Sequence, residues 1–445
     1  MTSKQRMPGV CPGDQTSIDA PDVVDAGASD RKLMVLETDY TLEGVREREI
    51  EHSVLCRDLG GYFAHVWSVH PFATLVTSPG WTPKFGKPVE HRLAPRHTFI
   101  EGKVGRFALL KHFFALNFLI SQVDIFLRLK KLIRREHIGV IRAASPLYSG
   151  LLGLALARAT GIPLVVRVGA NHDKHFETTG RPMQPRLMRS RKIEKIVERF
   201  VFKRADLVAG ANQDNLNFAL ANGARRESST LFRYGNLVDR RHFIDPSARS
   251  DTAGPLAQIG VQRRKFLLYV GRLEPIKQPD HVLEVLRTLR ADGFGVKAVL
   301  AGEGRMRDAL EGRARELGIG EHLVLPGNLS QAVLALLYPA AGVVVSPHTG
   351  RALAEAALGA APVVAYDVDW QGELIEDGKT GALVEQGNVR KMTAAAAMML
   401  SNPAHANALG EALRARVLKM LDPEALDEHE RREYSRLLGQ ISPPQ

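Results

Sequence analysis

Cysteine is nearly absent from this chain: Cys11 and Cys56 are the only two in 445 residues. They cannot form a disulfide framework, and their separation matches no metal-ligand spacing, so a reduced, cytoplasmic setting is expected. Long apolar runs are missing as well. The best stretch, "FALLKHFFALNFLI" over residues 107–120, is broken by Lys111, His112 and Asn117, and no bilayer-spanning helix is expected. Aromatic residues make up only 6% of the chain. With no stacking platform or groove-reading motif beside them, nucleic acid is not an expected partner. Acids vanish locally too. From His322 through Ala354 there is no Asp or Glu, and Glu355 ends the gap.

What is present reads as a soluble globular protein, with 44% hydrophobic and 24% charged residues. The length implies about two or three domains. Residues 1–30 are polar, lack an apolar core and are expected to be a disordered tail. In the C-terminal half, "FLLYV", "AVLAG", "LVLPG", "GVVVS" and "PVVAY" are continuous apolar runs separated by helical patterns. Such runs mark a parallel sheet covered on both faces. "KLMVLE", "HVWSVH", "ATLVT", "GVIRAA", "IPLVVRVGA" and "ADLVAGA" repeat the theme earlier. The expected fold class is therefore α/β, with two Rossmann-like doubly wound domains over residues 31–243 and 263–421. A polar linker would span 244–262, and a late helix would lie within 422–445.

Open α/β sheets bind ligands beyond the carboxyl ends of their strands, so the loops there matter most. "YVGRLEPIK" leaves its strand through Gly271, then offers Arg272 and Lys277. Glycine permits a sharp exit, Arg272 presents a fork of donors and Lys277 a point charge, a pair suited to a diphosphate. The plainer reading is a solvated loop with ordinary surface charges. "AGEGRMRDAL" supplies Gly302 and Gly304, a turn that is weakly specific alone. In "SPHTGRALAE", Gly350 opens a helix whose free amides suit an anion. Glu355, one and a half turns in, is placed for ribose hydroxyls, or is simply an acid near a helix start. "YDVD" offers Asp367 and Asp369, but that short pattern recurs by accident and no metal is expected. "DYTLEGVRERE" follows the first strand as a lip of the cleft, where Gly44 is placed to approach phosphates.

Together, "YVGRLEPIK", "LAGEGRMRDALEGRARELGIGEHLVLPGNL" and "EAALGAAPVVAYDVDWQGELIEDGKTGALV" resemble the donor domain of family-4 retaining glycosyltransferases, glycosyl transferases group 1, of GT-B fold. "ADLVAGANQDN" and "RYGNLVDRRHF" resemble the end of that family's first domain. The resemblance implies a nucleotide-diphosphate-sugar donor, a glycan or lipid-linked acceptor and no cofactor. Arg272 and Lys277 would grip the diphosphate, Gly271, Gly302, Gly304, His348 and Thr349 would line the donor site, and Gly350, Arg351 and Ala352 would offer amides. Glu355 would bind ribose, and the late helix would cross back to the first domain. Two departures stand out. The family's earlier Glu falls at Pro347, eight residues before Glu355, leaving His348, Thr349 or Arg351 as substitutes. A family His falls at Gly169, followed by Asn171, His172 and Asp173 as candidate acceptor or sugar contacts or as plain loop residues.

The missing acid keeps two rivals open, an inactive sugar-nucleotide-binding or membrane-scaffold subunit and a GT-B-fold epimerase. The acid-free stretch disfavours the epimerase. Net charge is +11, and the charge concentrates within 181–204 and 126–136. In the first of these, Ile193, Ile196, Val197, Phe200 and Val201 fall at helical spacing. Two readings follow: a helix packed on the sheet with a charged outer face, or a peripheral surface for anionic lipid, where each Lys or Arg contributes about 1 kcal/mol.

Overall fold

The computed structural model describes residues 30–47, 50–74, 82–234, 237–248, 253–348 and 350–439. The expected tail lies outside them apart from Asp30, and so does Thr349. A first sheet contains β1 (Lys32–Leu36), β2 (His65–His70), β3 (Val89–Ala94), β4 (His97–Glu101), β5 (Val140–Ala143), β6 (Leu164–Val168), β7 (Leu207–Gly210) and β8 (Ser229–Leu231). Their order is β3-β4-β2-β1-β5-β6-β7-β8, and only the β3–β4 pair is antiparallel. Successive residues of β1 serve opposite cores. Met34 and Leu36 join Ile125, Leu129, Leu156 and Val201, whereas Leu33 and Val35 join Phe63, Phe232 and Tyr434. Covering both faces requires a strand that is apolar throughout.

The second sheet contains β9 (Phe266–Val270), β10 (Lys297–Ala301), β11 (Leu323–Gly327), β12 (Val343–Ser346), β13 (Val363–Tyr366) and β14 (Ala382–Val384). All pairs are parallel, in the order β11-β10-β9-β12-β13-β14. This is the doubly wound Rossmann order, and the strand sequence reverses between β9 and β12. In the first sheet the reversal falls between β1 and β5. A crevice opens at each reversal, which fixes where ligands can lie before any side chain is considered.

Two expectations need correction and one, the linker, gains detail. "ATLVT" does not begin a strand: Ala73 and Thr74 sit in a bend, and residues 75–77 lie outside the described residues. The linker is partly ordered, because Ala253–Ile259 is a helix whose Leu256 enters the second core. Most instructive is the basic helix Arg191–Phe202. It buries Arg191, Glu194 and Glu198 with Val201 and Phe202, and exposes Ile193, Ile196 and Phe200. Polar burial is possible because partners are present. Arg191 donates to both Glu198 oxygens at 2.6 and 2.8 Å, and His172 Nδ1 lies 2.7 Å from the same carboxylate. Among the described residues no helix is long and apolar enough to cross a membrane.

The helix Pro423–Leu437 lies against the first sheet. Tyr434 packs edge-on to Phe63, Tyr62 and Ser435 share a 2.8 Å hydrogen bond, and Arg142 meets Glu430 at 3.5 Å. The helix Pro403–Met420 backs the helix Arg351–Leu358, and its Gly410 lies against the turn that follows that helix. A Cβ there would stand 2.3 Å from the Ala360 carbonyl oxygen. Alanine inside a helix ordinarily gains about 1 kcal/mol over glycine. Overpacking against backbone costs about 1–3 kcal/mol and reverses the sign. Gly410→Ala is therefore expected to lower the thermal midpoint; a raised midpoint in a melting experiment would contradict this packing.

Candidate functional site

The reversal in the second sheet is flanked by the loops after β9 and β12. The first is held in shape by glycine. Tyr269 donates its hydroxyl to the Arg272 carbonyl at 2.9 Å, and a Cβ on Gly271 would meet that hydroxyl at 3.0 Å. The neighbouring turn after β10 presses on it: Gly302 has φ +148°, and a Cβ there would lie 2.0 Å from the Gly271 carbonyl oxygen. A Cβ on Gly304 would lie 2.3 Å from the Leu273 oxygen. Two backbone hydrogen bonds of 3.0 Å, Gly271 to Ala301 and Leu273 to Glu303, lace the loops together. Gly302 and Gly304 thus position the 271–277 loop by allowing backbone contact.

That loop carries two cations that its neighbouring ion pairs leave out. Arg305 pairs with Glu274 at 2.9 Å and Arg307 with Glu303 at 2.8 Å. Among the described residues neither Arg272 nor Lys277 has an ion pair. Lys277 is half-buried, and a Cβ built on Gly350 would lie 3.9 Å from its Nζ. Desolvation first, then Arg272, lowers its pKa to about 8, with Asp369 opposing. His348 Nδ1, 3.1 Å from the Ile276 carbonyl, must donate to it, while Nε2 lies 3.7 Å from Asp369.

Beside these cations starts the helix Arg351–Leu358, with Gly350 at φ +65° and no side-chain cap. The leading amides, including those of Arg351 and Ala352, face this end of the crevice and are free of a capping side chain. Glu355 is buried; it accepts from Tyr338 at 3.1 Å and lies 3.4 Å from Arg351 Nε. A carboxylate has about four acceptor positions, so these two partners leave capacity for a hydroxyl.

The facing wall comes from the first domain. The helix His172–Thr179 lies beside the turn Pro275–Lys277, and its His175 is lowered to about 4 by burial, then by His172, Arg272, His348 and Lys277. Asp39, beyond β1, is raised to about 6 by desolvation and then Glu37, while His172 and Arg272 pull it down. Solvent reaches this side chain and tempers the rise. The expected residues Asn171 and Asp173 have partners of their own. Asn171 caps the helix and donates to Asp214 at 3.0 Å; Asp173 binds Arg191 and Lys195 at 3.0 and 2.9 Å. The Gly44 amide donates to Thr41 Oγ1 at 3.1 Å, and Gly169 accepts the Tyr234 hydroxyl at 2.8 Å.

Sequence reasoning missed His175, although it falls one turn after His172 and so on the same helix face. It also missed Glu373, which joins the domains by accepting from the Gln213 amide at 2.7 Å and from Arg233 at 2.9 Å. Asp367 and Asp369 do not converge: Asp369 faces His348 and Asn212, while Asp367 stands beside Gly372. Among the described residues no group of three His, Cys, Asp or Glu is placed to hold a metal ion.

The arrangement suits a multiply charged anion. Charge-assisted hydrogen bonds contribute about 1.5–3 kcal/mol each and a helix terminus about 0.3–1, so the side chains dominate.

Residues 257–416 match the family described as glycosyl transferases group 1. An alpha-D-kanosaminyltransferase of Streptomyces kanamyceticus is 26% identical over 258 residues, covering 56% of this chain and 64% of the relative. A glycogen synthase of Mycobacterium tuberculosis is 32% identical over 160 residues, 35% of this chain and 39% of the relative. The chain thus spans less than two thirds of both. A solved structure of Anabaena HepE in complex with UDP and glucose superimposes with a TM-score of 0.67 at 16% identity, covering 91% of this chain and 100% of that one. The shared fold is GT-B.

The lowered pKa of Lys277 sets a pH dependence. The free ammonium loses its proton as pH rises through about 8, and a bound diphosphate favours the charged form. Affinity for a nucleoside diphosphate is therefore expected to fall between pH 7 and 9, and Lys277→Ala to flatten that fall. Titration calorimetry across this range checks both; a fall retained in the variant would contradict the assignment.

Proposed function

From a second domain that is a group 1 glycosyl transferase domain, we propose that the protein moves a sugar from a nucleotide-diphosphate-sugar to a glycan or lipid-linked acceptor, with retention at the anomeric carbon. One observation carries the reading: Arg272 and Lys277, without ion-pair partners among the described residues, stand at a strand-order reversal beside an uncapped helix terminus. The UDP and glucose held by the Anabaena structure of the same fold support the donor class, and the kanosaminyltransferase relative supports transfer of a sugar.

In this reading the bond between the anomeric carbon and the β-phosphate oxygen breaks, and its electron pair leaves with the diphosphate. The acceptor oxygen bonds to that carbon on the face being vacated, and its proton passes to the departing phosphate. Arg272, Lys277 and the amides of Gly350, Arg351 and Ala352 stabilise the charge that grows there. Glu355 takes the ribose hydroxyls in its remaining acceptor positions. His348, fixed through Ile276, supplies the sugar contact next to Pro347, where the family has an acid. Asp39, His172 and His175 border the sugar and acceptor opposite. Counter-charge comes from side chains and amides, so the reaction is read as independent of metal.

The missing acid at Pro347 also motivates a subunit that binds donor without turning it over. Release of nucleoside diphosphate from a panel of nucleotide sugars separates the two: turnover supports transfer, and binding alone supports the rival. Lys277→Ala is expected to lower kcat/KM about a hundredfold or more; near-normal turnover in that variant would remove the diphosphate role. Chelation of divalent ions is expected to leave the rate unchanged, and a rate restored only by added metal would contradict the charge assignment.

A further inference from the structure

Away from the cleft, the first domain leaves a row of large apolar side chains in water. Leu116, Leu119, Val123 and Leu127 follow one another at steps of three and four along the helix Phe114–Glu136, so they share one face. Leu119 is 59% exposed, and Leu109 in the preceding turn is 95% exposed. The opposite face of the helix supplies Ile125, Leu129, Leu132 and Ile133 to the core, so this stripe is not the packing face. The helix Arg191–Phe202 repeats the pattern, with Ile196 68% exposed beside Ile193 and Phe200. Eight solvated side chains of this size on one domain exceed the scattered single exposures of an ordinary surface.

The two stripes lie on the same side of the molecule. Both helices pack into the core beneath one face of the first sheet, on either side of the helix Tyr148–Thr160, whose outward residues are Ala155 and Arg158. Near the first turns of both helices lies a cavity of about 320 Å³, lined by Val104, Phe114, Phe118, Leu187 and Arg189. Around this face stand exposed Lys111, Lys131, Arg134, Lys192 and Arg199. From Gly102 through Val123 the chain has no acid at all. Apolar groups at the centre with cations around them complement a surface that is apolar inside and negative at its rim; the acid flanking the first stripe, Asp124, is held by Arg106 at 3.3 Å and Arg128 at 2.9 Å.

We infer that this face docks onto a bilayer containing anionic lipid, with Leu109, Leu116, Leu119 and Ile196 entering the acyl boundary. The surrounding lysines and arginines lie at headgroup level. The cavity beside Arg189 has room for part of one acyl chain. Burial of apolar side chains and attraction to charged headgroups act together in such interfacial binding, so either change alone weakens it. The surface is separate from the donor cleft and stands whether or not sugar transfer is correct.

The test is flotation of the full-length protein with vesicles of phosphatidylcholine alone or mixed with phosphatidylglycerol. Binding to the mixed vesicles only is expected. Leu109→Glu with Leu119→Glu is expected to reduce it about tenfold or more, and Lys131→Glu with Arg134→Glu to reduce it likewise. Circular dichroism melts and nucleoside-diphosphate binding should match wild type in every variant. Three outcomes overturn the inference. One is no vesicle binding by wild type, including binding gained only after residues 1–29 are removed, which would make the chain's own tail the occupant. The second is a dimer in sedimentation that Leu119→Glu dissolves, which would make a second copy the occupant. The third is equal binding by both apolar and charge variants.

Discussion

Two cations kept beside a helix terminus without an ion-pair partner among the described residues are the constraint on which the rest of this molecule depends. Keeping Lys277 charged at neutral pH in its half-buried position costs roughly 3 kcal/mol or less, from a pKa brought down to about 8. The fold maintains that condition by occupying the acids nearby. Glu274 and Glu303 are taken by Arg305 and Arg307, Asp369 faces His348, and Glu355 is held by Arg351 and Tyr338. A bound diphosphate would offset that cost, which is the electrostatic basis for proposing an anion site in this crevice.

The position of the cations is equally determined. Strand order in the second sheet places the reversal between β9 and β12, and the loops leaving those strands carry Arg272, Lys277, His348 and Gly350. Gly302 and Gly304 let the next loop press against the first, fixing it without a side chain in between. Across the crevice, Glu373 receives the start of the helix Gln213–Ala221, Arg351 donates to the Leu237 carbonyl at 3.2 Å, and Trp370 meets Tyr234 at 5.5 Å between ring centres. These contacts bring the end of β1, with Asp39, and the helix bearing His172 and His175 to face the cations.

Much of this was legible in the residues. Strands buried on both faces are apolar throughout, so β9, β10, β12 and β13 announce themselves, and the glycine-bearing loops between them are short. What escaped has a physical reason. The edge strand β3, "VEHRLA", is largely solvent-exposed and polar, and carries no hydrophobic signal. Glu373 acts on residues of the other domain, which no local pattern encodes. The helix Arg191–Phe202 shows the limit of periodicity: it reveals that a helix has an apolar face but not which face turns inward. Here an internal network of Arg191, Glu198 and His172 satisfied its own polar groups and took the inner side. Asp173 was drawn into the same network, which is why a residue that looked available for sugar has its oxygens engaged.

The central claim is that Arg272 and Lys277 at the β9–β12 reversal receive a diphosphate. The most direct measurement is a crystal structure of the protein with a nucleoside diphosphate. The account predicts both phosphates between the side chains of Arg272 and Lys277 and the amides of Gly350, Arg351 and Ala352, with the ribose turned toward Glu355. A diphosphate bound elsewhere, with Arg272 and Lys277 still facing solvent, would contradict it.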